Sequence, residues 1–158
     1  MSFIASLFLN HWLDLLLFLP LLGAVQFSVA ARNARLDSLE TTLGTSPHLQ
    51  IWSGSMPADC VTTDSGTKLC EMSLPSDWLA AAASGAKSKS GTWSDVGLAA
   101  GTAGYFRIKP TSPTGTNAAI QGTVTATGGG GDMTLDNTSI AVAQVVTVNS
   151  FTLTDANA

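Results

Sequence analysis

Four side chains in this sequence belong to the types that most often perform nucleophilic or metal chemistry: His11, His48, Cys60 and Cys70. The spacing of the cysteines is not that of a metal-binding pair, and no partner histidine is near, so a zinc site is not predicted. The two thiols could form a disulfide across a turn if the protein matures outside the cytosol, whereas free thiols in the core or a turn are favoured inside it. A lone histidine is usually structural, and no Ser/His/Asp or Cys/His set can be assembled from the sequence. We therefore predict no catalytic residues.

Two carboxylates, Asp132 and Asp136, flank a short predicted strand beside the glycine run at residues 128–131. Carboxylates near a glycine turn could supply the oxygen ligands that Ca²⁺ prefers, but the spacing matches no known calcium loop. Solvated turn acids are the favoured interpretation. The glycine run is not followed by Lys and Ser or Thr, so we interpret it as a hairpin loop and not as a phosphate loop. Neither a metal nor a cofactor is expected.

Charge is scarce along the whole chain. Its 158 residues include seven Lys or Arg and eleven Asp or Glu, and the formal net charge is -4. The seven cations are scattered and form no basic patch, which argues against a nucleic-acid partner. After Lys109 the only ionisable side chains are three aspartates, in a stretch rich in Thr, Gly and Asn. This composition favours a β-structured assembly or binding protein over an enzyme.

An apolar run occupies residues 3–29 and is long enough to span a bilayer, which takes roughly 20 residues. Asn10, His11 and Asp14 interrupt it, Pro20 would kink a helix, and no Lys or Arg precedes it. Three alternatives stay open: a start-site extension absent from the mature protein, a poor signal peptide, and a membrane or partner anchor. The extension is favoured, so the mature form is not expected to contact a membrane. The chain is accordingly divided into residues 1–27, a helix at 28–44 and a β domain at 45–158.

The pattern of one helix runs from Ser28, which is suited to cap its start, to Gly44, which is suited to end it. Leu36, Leu39 and Leu43 fall on one face of this helix. They predict a narrow apolar stripe that lies on a sheet or against a neighbouring subunit.

Beyond the helix the apolar period changes to two, apart from one helix-like run at residues 78–83. Phe106 and Ile108 are predicted to face the core of a strand pair. The side chains between and beside them, Tyr105, Arg107 and Lys109, are predicted to face outward.

The last predicted strand changes phase along its length. Val146 and Val148 share one face, whereas Phe151 and Leu153 have the opposite parity. A β-bulge at residues 149–150 would return both pairs to the core. About seven short strands separated by turn residues predict a mainly β fold, an antiparallel β-sandwich or barrel with one N-terminal α-helix.

Three tryptophans lie in the β-rich part of the chain. Large aromatic residues in a small β domain usually belong to the core, and the alternatives are interface anchors and stacking platforms for sugars. Together with the leucine face of the helix, they form the predicted contact set: Leu36, Leu39, Leu43, Trp52, Trp78 and Trp93.

Six segments follow one another along the chain: ARNARLDSLE, LQIWSGSMPADC, LPSDWLAAA, GTAGYFRI, QGTVTATGGGGDMTLDNTSI and VTVNSFTLT. Their order resembles that of a family of small virion proteins of tailed bacteriophages, and residues 1–27 depart from its pattern. The resemblance implies a β-sandwich-like structural protein of the virion, assembled in the host cytoplasm, with no catalytic residues. It further implies a capsid decoration or cement role, with sister copies and the major capsid protein or tail proteins as partners.

Three functions therefore compete. The leading hypothesis is a decoration or cement protein that adheres to the assembled capsid through edge strands and Thr- and Ala-rich faces. The second is a tail or neck component, which differs in copy number and symmetry. The third is a secreted carbohydrate-binding or adhesin domain that would stack sugars on Trp52, Trp78 or Trp93.

Overall fold

The computed structural model describes residues 25–110 and 119–156. Most of the apolar N-terminal run, including His11, lies outside the described residues. No helix in the described ranges combines the length and the apolar character that crossing a bilayer requires.

The predicted helix is confirmed as α1, Val29–Leu43. The side chain of Ser28 caps its first turn, as expected. Gly44 ends it at φ 78°, a left-handed conformation that glycine adopts without steric cost. Leu36 and Leu43 on its inner face are buried against the rest of the protein.

Nine strands follow α1 in the described residues and form one curled sheet, a half-barrel. Hydrogen-bonded neighbours run in the order β2-β1-β5-β6-β7-β9-β3, while β4 pairs with β9 and β8 pairs with β5. The mainly β class with one N-terminal helix is thereby confirmed. The bounds are β1 His48–Ser53, β2 Lys68–Ser73, β3 Ala86–Ser88, β4 Ser94–Val96, β5 Gly101–Lys109, β6 Ile120–Ala126, β7 Met133–Leu135, β8 Ser139–Ile140 and β9 Val145–Thr154.

The curl brings β4 against the edge of β2, and we call this junction the seam. Cys70 of β2 forms an antiparallel bridge with Gly97, the residue after β4. The amide of Leu98 donates to the carbonyl of Leu69 at 2.7 Å. Gly97 is required here because a Cβ atom on it would lie 2.3 Å from the carbonyl oxygen of Ala141.

Aromatic rings occupy the centre of the hydrophobic core. The ring centroids of Trp93 and Phe151 are 5.5 Å apart, and Phe106 meets Phe151 edge to face at 5.5 Å. Trp78 adds a fourth ring 6.1 Å from Trp93. Phe106 and Ile108 both face this core, which confirms their predicted direction.

The bulge predicted in the last strand is present in β9. Leu135 of β7 pairs with Val148, and the residue before Leu135 pairs with Ser150, so Asn149 is the extra residue. Val148 and Phe151 are consequently both buried despite their opposite parity. The prediction at residues 149–150 is confirmed.

The glycine run at residues 128–131 is not the predicted hairpin loop. It joins β6 to β7, and these strands pair in parallel. A parallel pair usually needs a connection of about a dozen residues, and this one is far shorter. Glycine permits the tight return, because Gly128 has a φ of 86° and a Cβ on Gly129 would lie 2.7 Å from the Cβ of Thr125.

Residues 78–83 do not form the predicted helix-like run, and isolated β-bridges stand in its place. The backbone of this segment pairs with residues 86–90: the amide of Ala80 donates to the carbonyl of Ser88 at 2.8 Å. Two further amides are bound by α1. The amide of Leu79 donates to a carboxylate oxygen of Glu40, and the amide of Ala82 donates to one of Asp37, each at 3.3 Å. Side chains of α1 thus bind amides of the segment, which stays non-helical.

Candidate functional site

The predicted contact set divides between the core and the surface. Leu36, Leu43, Trp78 and Trp93 are each at most 5% exposed. These four side chains pack inside the domain, so the prediction that they contact a partner is wrong. Leu36 and Leu43 attach α1 to its own half-barrel. Leu39 is partly exposed and stays a predicted contact residue, as does Trp52.

Of the three tryptophans, Trp52 alone reaches the surface. Its ring is stacked on Tyr105, with ring centroids 6.3 Å apart and planes inclined by 12°. A sugar platform needs exposed ring faces, and Trp78 and Trp93 are core residues. The fold therefore does not assemble a platform from all three rings.

The cysteines and His48 occupy separate environments. Both cysteines are free thiols. Cys70 lies in the core, where burial, with a smaller contribution from Asp95, raises the pKa of the thiol to about 11 and suppresses the reactive thiolate. His48 begins β1, with its Nδ1 atom 3.7 Å from Oε1 of Glu71. Within residues 25–110 and 119–156, no three His, Cys, Asp or Glu side chains are placed to hold a metal ion.

Asp132 and Asp136 each close a local turn. Asp132 accepts hydrogen bonds from the amide and the hydroxyl of Thr123, at 2.8 and 2.7 Å, and these bonds hold the pKa of its carboxyl below the usual value. Asp136 accepts from the amides of Asn137 and Thr147, at 2.9 and 3.1 Å. This arrangement is that of turn acids, the interpretation favoured by the sequence.

The outer face of β5 is covered, contrary to the sequence prediction. Tyr105, Arg107 and Lys109 do lie opposite the core, but all three are buried. The loop at residues 54–66 folds over them, and its two ends meet where the amide of Ser53 donates to the carbonyl of Thr67 at 3.0 Å. A loop of this length with adjoining ends is an Ω-loop.

Arg107 holds this loop from below. Its side chain has no exposed surface. Both Nη atoms donate to the loop, and the acceptors are the carbonyls of Thr62 (2.8 Å), Cys60 (2.8 Å) and Asp59 (3.2 Å) and the Oδ1 atom of Asp64 (2.6 Å).

Two further side chains of β5 complete the attachment. Nζ of Lys109 lies 2.7 Å from Oδ2 of Asp64. The hydroxyl of Tyr105 donates to the carbonyl of Ser65 and accepts from its amide, at 2.6 and 2.9 Å. Burial alone would raise the pKa of Asp64, but the hydrogen bonds from Lys109 and Arg107 outweigh it and hold that pKa below the usual value. The loop is thus held on the sheet by paired charges.

Lys87 performs a similar role for α1. Its side chain is 3% exposed and its Nζ lies 2.6 Å from Oδ1 of Asp37 and 2.9 Å from Oε2 of Glu40. Burial would lower the pKa of this amine, but hydrogen bonds to the two carboxylates outweigh it and raise the pKa. These residues border a groove of about 620 Å³ beside α1. A protonated, paired lysine is unsuited to act there as a nucleophile or a base.

All seven Lys and Arg side chains of the chain fall within the described residues, and each has a partner inside the protein. Five of them lie within ion-pair distance of a carboxylate, whereas Arg32 and Lys89 donate to backbone carbonyls. The seven are Arg32, Arg35, Lys68, Lys87, Lys89, Arg107 and Lys109.

The exposed feature that sequence reasoning missed is an apolar patch along the seam. Val96 and Val145 are direct cross-strand partners in β4 and β9, and Leu98 follows two residues after Val96. Val142 lies in the adjoining turn, which is tied to Gly97 by the amide of Ala143 at 2.8 Å. We call these four aliphatic residues the seam patch; their exposed fractions are Val96 46%, Leu98 52%, Val142 64% and Val145 58%.

The turn that carries Val142 is strained. Ala143 has a φ of 62°, in the left-handed region that costs a residue with a Cβ about 1–2 kcal/mol. Gly or Asn would occupy this position at lower cost, and turns are normally polar. A left-handed alanine beside an exposed valine marks this turn as a candidate functional element.

The fold and these sites define a class of protein: a β-rich half-barrel whose buried cations are paired with carboxylates and whose seam exposes an apolar patch. Comparison of the chain with protein-family models, with curated proteins and with solved structures finds no match in any of the three.

Proposed function

We propose that this chain is a non-enzymatic structural protein of a tailed-bacteriophage particle, bound to the outside of the assembled capsid as a decoration or cement protein. The observation that carries the proposal is the seam patch. The ordered resemblance to small virion proteins supplies the class of particle, and the seam patch supplies a surface by which the protein adheres.

The state of the charged side chains supports adhesion without turnover. Acid–base or nucleophilic catalysis needs a titratable group that is free to react. Here the buried amines Lys87 and Lys109 are paired with carboxylates, and the buried thiol of Cys70 has a raised pKa. The same pairing neutralises two of the seven cations, and the others form no basic patch that would favour a nucleic acid.

The size of the seam patch favours a repeated surface over a pair of copies. Four half-exposed aliphatic side chains offer on the order of 300 Å² of apolar surface. A stable interface of standard size needs roughly 800 Å² from each partner. The patch is therefore suited to the core of a larger contact with the capsid shell, completed by neighbouring Thr and Ala residues and multiplied over many copies.

The competing functions receive less support. A carbohydrate-binding domain would need an exposed aromatic platform, and two of the three tryptophans are buried while the third is stacked on Tyr105. A tail or neck component would use the same adhesive chemistry, and its symmetry distinguishes it from a shell protein.

Co-sedimentation with particles that lack the chain tests the contact surface. Val142→Asp places a charge in the seam patch, and we expect it to weaken binding at least about tenfold, since burying an unpaired carboxylate costs more than 1.4 kcal/mol. Val61→Asp is the matched control, because Val61 is 66% exposed in the loop at residues 54–66, outside the patch. Equal binding by the two variants would refute the role of the seam.

Electron cryomicroscopy of the native particle tests the location. We expect density for this half-barrel in many copies on the capsid shell. Density in three-, six- or twelve-fold rings along the tail axis would instead support the tail or neck alternative, and its absence from the particle would overturn the proposed function.

A further inference from the structure

Among the described residues, four buried polar atoms on the outer face of the sheet have no hydrogen-bond partner: Nε1 of Trp52, and three atoms that lie together in one row. The three atoms of the row are Nε of Arg107, Oε1 of Gln50 and Oε1 of Gln121. Gln50 of β1 and Gln121 of β6 are both direct cross-strand partners of Arg107 in β5. The three side chains therefore stand in one row across adjacent strands, on the same face of the sheet.

The orientation of each glutamine amide is fixed by the hydrogen bond that its Nε2 atom donates. Nε2 of Gln50 donates to Oε1 of Glu71 at 3.3 Å. Nε2 of Gln121 donates to the carbonyl of Pro57, in the covering loop, at 2.9 Å. Turning either amide around would set its oxygen against another acceptor, so both Oε1 atoms stay as acceptors in need of a donor.

The row therefore presents one N–H donor and two carbonyl acceptors, and this set selects its ligand. A cation such as ammonium could serve the two carbonyls but has no lone pair for the N–H group. An anion could accept from Nε but would be repelled by both amide oxygens. A small neutral molecule that accepts once and donates twice satisfies all three atoms, and water has that capacity.

We propose that a buried water molecule is a built-in ligand of this row. It accepts a hydrogen bond from Nε of Arg107 and donates one each to Oε1 of Gln50 and Oε1 of Gln121. The site is closed from above by the loop at residues 54–66, which Arg107 and Gln121 also bind. The loop thus rests on a hydrated polar layer that links β1, β5 and β6, and this holds whether or not the protein binds a capsid.

A crystal structure at a resolution that resolves water tests the site directly. We expect one ordered peak within hydrogen-bond distance, about 2.7–3.2 Å, of all three atoms. Direct hydrogen bonds from Nε of Arg107 to a glutamine oxygen, with no peak between them, would overturn the proposal.

Deuterium magnetic relaxation dispersion tests the same site in solution by counting long-lived waters. The Gln50→Leu/Gln121→Leu variant removes both acceptors, and its amplitude should fall below that of the unmodified chain by one water. Gln144→Leu is the control, because Gln144 lies in the seam turn and bonds the amide of Ala141; its amplitude should not change. An equal amplitude for the double variant and the unmodified chain would overturn the assigned ligands, and the crystal test applies even if the variant does not fold.

Discussion

Replacement of Arg107 by methionine is the sharpest test of how the loop at residues 54–66 is held. The variant keeps an unbranched side chain but removes a fully buried guanidinium that donates to four acceptors in the loop. Hydrogen bonds to a charged group contribute about 1.5–3 kcal/mol each. Water reaching the released carbonyls offsets much of that sum, and Asp64 keeps its bond to Lys109. Loss of one partner of a buried ion pair typically costs about 3–5 kcal/mol, and we expect a loss of stability in this range.

Denaturant unfolding and hydrogen exchange together measure this effect. The first reports the change in the free energy of unfolding, and the second shows whether the amide of Ser65, which donates to Tyr105, loses its protection. Arg35→Met is the matched control: that side chain is 56% exposed and lies 3.2 Å from Asp155. An exposed pair of this kind contributes less than about 1 kcal/mol.

A third variant, Arg107→Lys, separates the effect of the positive charge from that of the planar guanidinium. Arg107→Lys keeps the positive charge but not the planar fork, so its loss should fall between those of the methionine variant and the control. A loss below about 1 kcal/mol for Arg107→Met, with unchanged exchange at Ser65, would refute the conclusion that Arg107 holds the loop.

Three further predictions concern the bulge, the strained turn and pH. Deletion of Asn149 should abolish cooperative unfolding, because it turns Phe151 out of the core; near-normal thermal unfolding would contradict the bulge. Ala143→Asn should raise the free energy of unfolding by about 0.5–1 kcal/mol, because asparagine tolerates a positive φ; an unchanged denaturant midpoint would show that the turn is unstrained. The pKa of Asp64 is lowered from 3.8, so its contribution is complete above that value and is lost as the pH falls through the lower, folded-state pKa; the midpoints of the protein and of Asp64→Asn should therefore converge in acid, and parallel curves would contradict the pairing.

The features that could be predicted from the sequence are set by local rules. A helix between Ser28 and Gly44 follows from capping chemistry, which involves only neighbouring residues. The bulge follows from parity, because Val148 and Phe151 can share a core only if one residue between them is unpaired. Both predictions needed no knowledge of distant segments.

The features that could not be predicted depend on which segments meet. Residues 78–83 have a helical pattern, but their backbone pairs with residues 86–90, and two of their amides donate to side chains of Asp37 and Glu40, which are distant in sequence. Arg107 has the parity of an outward residue and does lie on the outer face. Its burial depends on the loop at residues 54–66 folding over that face. Alternation along a strand does not predict whether a loop will cover the outer face. The seam patch likewise needs β4, β9 and the turn at Val142 to be adjacent.

The buried cations of this chain serve its own fold. The chain holds seven Lys and Arg side chains, and the fold uses buried ones, such as Lys87 and Arg107, to attach α1 and the loop at residues 54–66. A buried cation without a partner is costly, so each of these positions also consumes a carboxylate. The acids that are not used in this way lie mostly at the surface, where Asp59, Asp77, Asp95, Asp132 and Asp136 are exposed. In the proposed role, the four uncharged side chains of the seam patch would add no electrostatic repulsion between neighbouring copies.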